Sequence, residues 1–231
     1  MEKTVQHLGI IMDGNRRWAK GRELPSFEGH KKGAKKVKEV ARWCANRGVK
    51  VLTLYAFSAE NWDRSEGEVS FLMKLFDSYL AKEAGELHKE GVKLRVIGQK
   101  ERLPIHMQKK IKEAEDLTRD NDGLILITAI SYSGRDEIVQ AANQALKLCL
   151  REGLPEIITE DLLSRCLYTA GLPDPDLIIR TSGEMRTSGF LMWQATYSEL
   201  YFADKYWPDF SEEDLDEALA EYSRRQRRFG K

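Results

Sequence analysis

At 231 residues the chain is long enough for one large domain with a substantial core, or for two small ones. Its hydrophobic fraction of 42% and charged fraction of 32% are those of an ordinary soluble globular protein. Lysine plus arginine and aspartate plus glutamate cancel at 37 each, which argues against a general polyanion binder, nucleic acid included. The apolar run His7–Met12 predicts a first strand, and Asp13-Gly14-Asn15 behind it is turn chemistry. Residues 31–47 predict an amphipathic helix: Val37, Val40, Ala41 and Cys44 share one face, lysines hold the other, and Gly48 stops it. Val49–Phe57 is the next strand. Ser65-Glu-Gly-Glu68 has the spacing of a capping box and opens a helix through Val69, Leu72, Met73, Phe76, Tyr79 and Leu80. Strand Val92–Ile97, helix 105–119, strand Leu124–Ile130 and helices 135–151 and 159–168 follow. Strands Leu177–Arg180 and Glu199–Phe202 and a helix from Ser211 into an arginine-rich tail complete the chain.

This alternation predicts an α/β fold, with a mainly parallel central sheet covered by helices on both faces. No linker, repeat or low-complexity tract interrupts it, so residues 1–231 read as a single domain. Cys44, Cys149 and Cys166 are far apart with no CxxC spacing, which predicts free thiols in a reducing compartment. No secretory leader is visible. The longest uncharged stretches, 123–134 and 187–198, fall well short of the roughly 20 residues that span a bilayer. A cytoplasmic protein is expected, able to touch a membrane surface.

In an open parallel sheet, ligands bind beyond the carboxyl ends of the strands. That rule selects four polar clusters: Asp13–Trp18, Ser58–Arg64, Ser131–Arg135 and Arg180–Ser188. Arginine forks beside glycines and hydroxyls suit phosphate oxygens. Ser131–Arg135, with a single arginine and no carboxylate before Asp136, carries the least weight. Charge is also uneven, with twelve Lys/Arg against three Glu in residues 16–50. Each feature has an ordinary reading too. Asp13 alone could be a helix cap or a surface ion pair, His30 a solvated helix start, and the apolar pattern through 69–80 plain core. No GxxxxGK[ST], GxGxxG behind the first strand, GxSxG or HExxH is present, and no Asp-Asp-x-x-Asp pair of the all-helical prenyl synthases.

Together the motifs HLGIIMDGNRRWAK, GHKKGAKKV, LTLYAFSAENWDRSEGEV, LPDPDLIIRTSGEMRTSGFLMWQATYSELYF, WPDF and RRFG, in this order along nearly the whole chain, resemble the cis-prenyltransferases, the undecaprenyl diphosphate synthase group in particular. The resemblance implies a homodimeric, Mg²⁺-dependent enzyme that condenses isopentenyl diphosphate units onto an allylic diphosphate, farnesyl diphosphate by expectation. The product would be a long-chain polyprenyl diphosphate such as undecaprenyl diphosphate, the carrier lipid for peptidoglycan and other cell-wall glycans. A cytoplasmic enzyme with transient, peripheral contact at the inner membrane face for product release would follow. By the same resemblance Asp13 holds Mg²⁺ on a diphosphate, and Gly14, Asn15, Arg16, Arg17, Trp18 and His30 form the allylic cradle. Ser58, Ala59, Glu60, Asn61, Trp62 and Arg64 form the second motif, with Asn61 catalytic beside Asp13. An uncharged amide is a poor base, so Asn61 is read as positioning substrate or a diphosphate oxygen. Arg180, Arg186, Thr187 and Ser188 would clamp isopentenyl diphosphate, and Glu199 would add a metal contact near the dimer interface. Apolar residues of 69–80 with Leu124 and Ile127 would line a tunnel for the growing chain. Ser26 stands where relatives usually have an arginine, with Arg22 as a candidate substitute, and Met185 where some have a metal-contacting histidine. Two rival classes are a non-catalytic partner subunit, which would lack the Asp13 and Asn61 clusters while keeping a tail like Arg228-Phe-Gly230, and an isoprenoid-diphosphate phosphatase, which would need a water-activating group beside Asp13.

Overall fold

The computed structural model describes residues 4–225 apart from 154 and 156, so the tail motif Arg228-Phe-Gly230 lies outside the described residues. Strands β1 (His7–Ile11), β2 (Val51–Ser58), β3 (Lys93–Ile97), β4 (Ile125–Tyr132), β5 (Leu177–Arg180) and β6 (Glu199–Phe202) form a six-stranded sheet in the order β3-β4-β2-β1-β5-β6. Every pairing is parallel. β1 sits in the interior of the sheet with all its residues buried, which is why it is a continuous apolar run rather than an alternating one.

The helices are α1 (Asn15–Lys20), α2 (Ser26–Asn46), α3 (Glu66–Lys89), α4 (Ile105–Leu117), α5 (Gly134–Glu152), α6 (Glu160–Ser164) and α7 (Glu212–Arg224). One face of the sheet carries the larger core. Leu52 and Leu54 of β2 and Leu126 and Ile130 of β4 pack there with Val40 of α2, Leu72 of α3, Met107 of α4 and Leu215 of α7. The intervening residues, Tyr55, Ile127 and Ala129, face the other side and meet Phe190 and Leu191, the period-two alternation of a strand. That second face is covered more by the loops around 168–172 and 190–195 than by helices. α5 is tied to it through Glu137, which accepts hydrogen bonds from the Tyr132 hydroxyl, the Tyr168 N–H at 2.9 Å and the Gln194 amide at 3.0 Å. The three cysteines are free. No helix among the described residues is long and apolar enough to cross a membrane.

Three local expectations change. The turn at Asp13-Gly14-Asn15 is shorter than it reads, because α1 begins at Asn15 behind Gly14, whose φ of 98° is left-handed. α2 starts five residues earlier than its apolar periodicity suggests. Gly29 and Gly33 leave room there for α1: a Cβ on Gly33 would stand 2.2 Å from Asn15 Oδ1. The helix expected over 159–168 is regular only to Ser164.

Candidate active site

The chain leaves β1 in one direction for β2 and returns through β5 on its other side, so the carboxyl edge at β1 is the point where strand order reverses, the usual place for a ligand crevice. A cleft of about 1180 Å³ opens there. Asp13, two residues beyond β1, lies at its floor. Its Oδ2 accepts from the Arg180 guanidinium at 2.8 Å, and its Oδ1 accepts from the Gly14 N–H at 2.6 Å and faces Arg17 at 3.3 Å. Burial works against the charge on Asp13, yet the Arg180 hydrogen bond, the Gly14 N–H and the two guanidinium charges hold its carboxyl below the ordinary carboxylate range. It is ionised at neutral pH.

Arg180 ends β5 and is 5% exposed, and it also donates to Ser188 Oγ at 2.8 Å and to the Arg186 carbonyl at 2.6 Å. Arg17 donates to Ser182 Oγ at 2.6 Å and to Glu184 at 2.8 Å, and Arg186 pairs with the same Glu184. Ser182 and Ser188 have φ of 82° and 49°, strained for residues with a Cβ, and both sit in this loop. On the opposite wall Arg64 pairs with Glu68 at 2.9 Å, and Arg16 and His30 stand 3.6 Å from the same carboxylate. Burial, then the charge of Arg64, lowers His30 from the ordinary imidazole value of 6.5 to about 4, so its imidazole is neutral. Among the described residues, three buried polar atoms around the cleft make no hydrogen bond within the protein: Asn15 Oδ1, His30 Nε2 and Arg180 Nε. Such groups are costly unless a ligand or water satisfies them.

Of the sequence candidates, Asp13, Gly14, Asn15, Arg16, Arg17, His30, Ser58, Glu60, Asn61, Arg64, Arg180 and Ser188 line this cleft. The Ser58 N–H donates to Asn61 Oδ1 at 3.1 Å, which leaves the amide NH₂ as the free function of Asn61. Asn61 is therefore a donor. Ala59 and Trp62 are not in the wall; the Trp62 ring packs edge-on against Phe57 and donates to Ser131 Oγ at 2.9 Å. Trp18 is a buried strut that donates to Asp209 at 2.7 Å, and Arg22 stacks on it at 4.4 Å while pairing with Asp209. Arg22 is thus held outside the cleft and does not take the place of an arginine at Ser26, which does line it. Arg186 and Thr187 lie beyond the wall, as does Met185, which is largely exposed. Glu199 is not brought to Asp13 within the chain. It opens β6, whereas Phe202 is the residue opposite Arg180, so it lies roughly 10 Å down the strand. There it pairs with Arg225 at 3.0 Å.

The sequence reading passed over Glu68 and Glu184, which tie the cationic residues together, and gave little weight to Ser133 and Arg135, which line the cleft. Glu68 carried a signal in its i,i+4 spacing from Arg64. Behind the cleft, and sharing Met12, Ala56 and Leu72 with it, is a chamber of about 80 Å³ walled by Leu75, Phe76 and Tyr79 of α3 and by Thr128 and Trp207. Leu124 and Ile127 do not line it. Thr128 takes that position, and Ile127 faces the other side of the sheet.

The family model described as putative undecaprenyl diphosphate synthase matches residues 11–230. An isoprenyl transferase of Bacillus cereus is 49% identical over 227 residues, covering 97% of this chain and 88% of that protein. One from Clostridium tetani is 46% identical and covers 100% and 91%. Lavandulyl diphosphate synthase from Lavandula x intermedia, solved with dimethylallyl diphosphate, superposes with a TM-score of 0.94 at 39% identity, covering 99% of both chains. A probable undecaprenyl diphosphate synthase from Campylobacter jejuni has a TM-score of 0.82 at 33% identity and covers 99% and 100%.

Proposed function

The chain belongs to the undecaprenyl diphosphate synthase family and is a prenyltransferase, and from that premise we propose that it lengthens an allylic diphosphate, farnesyl diphosphate first, by cis addition of isopentenyl diphosphate. The observation that carries this reading is the pairing of ionised Asp13 with buried Arg180 between two further sets of arginines, in a cleft that continues into an apolar chamber. Charged head groups and a hydrocarbon tail call for that combination.

Arg16, Arg17, Asn15 and the Gly14 backbone would receive the allylic diphosphate. Arg180, Ser188 and Arg186 would receive the diphosphate of the second substrate, and Asn61 would donate to one of its oxygens. Cleavage of the allylic C–O bond places negative charge on the departing diphosphate, and guanidiniums already fixed around it stabilise that charge without reorganising. Asp13 fits Mg²⁺: it is an ionised, half-buried oxygen donor, and one carboxylate completed by substrate phosphates is a donor set this ion accepts. When bound, the ion supplies Lewis-acid stabilisation of the leaving group. Among the described residues no group of three or more His, Cys, Asp or Glu could hold a metal alone, which suits an ion that arrives with the diphosphate.

The finer parts of the proposal are a polyprenyl product, undecaprenyl diphosphate for cell-wall glycan synthesis, made in the cytoplasm with peripheral membrane contact at release. A homodimer is also proposed. Val139 and Leu150 are exposed on α5, and Glu199 is remote from Asp13 of its own chain. A second reading, condensation that stops at a short product, is favoured by the small chamber and by the likeness to lavandulyl diphosphate synthase. Incubation with farnesyl or dimethylallyl diphosphate, labelled isopentenyl diphosphate and Mg²⁺, followed by sizing of the products, decides between them. Absence of any labelled prenyl product would sink both.

A further inference from the structure

The first turn of α3 holds a carboxylate that its position in the helix does not explain. Ser65 and Glu68 have the spacing of a capping box, yet Ser65 makes no side-chain cap. The Glu68 carboxylate has turned away to three cradle residues from three different elements: Arg64 beyond the 59–63 turn at 2.9 Å, Arg16 of α1 at 3.6 Å and His30 of α2 at 3.6 Å. Its side chain is 17% exposed, so this is more than a solvated i,i+4 pair. Arg16, His30 and Arg64 line the cleft; Glu68 does not, and stands behind them. Because His30 is neutral, the carboxylate offsets the charge of two arginines while it accepts a hydrogen bond from Arg64 and stands within 4 Å of Arg16 and His30.

A diphosphate must leave as well as enter. Each condensation releases inorganic diphosphate from a cleft lined by Arg16, Arg17, Arg64 and Arg180, and unopposed cations there would retain it. We propose that Glu68 is a positioning residue that holds Arg16, Arg64 and His30 from behind and, by its charge, limits how tightly the cleft keeps diphosphate. This rests on the reading of the cleft as the diphosphate site.

The test is Glu68→Gln, which keeps shape and an acceptor oxygen while deleting the charge. Inorganic diphosphate, titrated at fixed Mg²⁺ into wild type and variant, should bind the variant about fivefold tighter, the scale of one partly screened ion pair. In turnover, kcat and the KM for the allylic diphosphate should fall together, a split that mere loss of structure does not produce. Glu68→Asp, with its carboxylate drawn back by one carbon, should fall between the two, and it carries the test alone should Glu68→Gln fail to fold. Equal or weaker diphosphate binding by the folded variants overturns the proposal. Failure of wild type to bind inorganic diphosphate at all overturns the diphosphate site together with it, whereas prenyl transfer with binding unchanged in the variants overturns only the role of Glu68.

Discussion

Asp13 and Arg180, separated by 167 positions in sequence, meet at 2.8 Å because Ile11 of β1 is the register partner of Arg180 on β5. The carboxylate lies at the cleft floor and the guanidinium beneath it is almost wholly buried, so the pair belongs both to the core and to the site.

Asp13→Ala should therefore do two things. Turnover at saturating Mg²⁺ should drop well over tenfold, since loss of a preorganised charge group typically costs on the order of 3 kcal/mol. Stability should fall by about 1–3 kcal/mol, because a buried guanidinium loses its counter-ion. Denaturant titration beside activity reads both, and a variant with more than half of wild-type turnover ends the metal and leaving-group role of Asp13.

Arg186→Ala should raise the KM for isopentenyl diphosphate much more than that for farnesyl diphosphate. Glu184, which Arg186 shares with Arg17, would then pair with Arg17 alone, so a small rise for the allylic substrate is expected too. Steady-state kinetics with each substrate varied is the measurement. Equal effects would mean that the two anion sites are one.

Product length should respond to the chamber wall and not to the strand end. Phe76→Ala enlarges the chamber and should shift products to longer chains. Leu124→Ala should cost roughly 2–5 kcal/mol of stability, as a buried cavity does, and leave the length distribution unchanged. Chain sizing by reverse-phase chromatography separates the two, and longer products from the Leu124 variant would move the stop back to that strand.

Acid should destabilise the protein through two histidines. His7 and His30 both have folded-state pKa values depressed by burial below the ordinary 6.5, to about 4 for His30. The unfolded chain takes up these protons first, so the stability they protect is complete above pH 6.5 and is lost as pH falls toward 4. For His30 that loss is roughly 3 kcal/mol at most. His30→Gln should flatten the stability–pH curve over this window; an unchanged slope would show that His30 protonates freely in the folded state.

Strands were legible because interior parallel strands are continuous apolar runs: Leu177–Arg180 falls where the sequence places it and His7–Met12 ends one residue early, at Ile11, while Glu199–Phe202, also where the sequence places it, is a half-buried edge strand. The clusters beyond those strands were legible for a related reason, since arginines and glycines after a buried strand have few structural uses. Partners at long range were not. That Glu68 would leave its cap, that Asp209 would draw Arg22 away from Ser26, and that Thr128 and not Ile127 would face α3 all depend on contacts between distant segments or on strand register. A one-residue change of phase along β4 reverses which side chains meet the chamber.

The position of β1 inside the sheet also bears on synthesis. Made well before β5, it can pair with β2 as soon as residues 51–58 are available, but its other edge stays open until β5 is made. The nascent chain thus carries half a cleft with an unpaired strand edge from the time residues 51–58 are made until residues 177–180 follow, a state prone to mispairing. Arg180 arrives late, and its docking on Asp13 closes that edge and completes the cleft floor in one event. Nascent fragments ending before residue 177 should accordingly depend on ribosome attachment or chaperones to remain dispersed, and release from that dependence should coincide with the appearance of diphosphate binding.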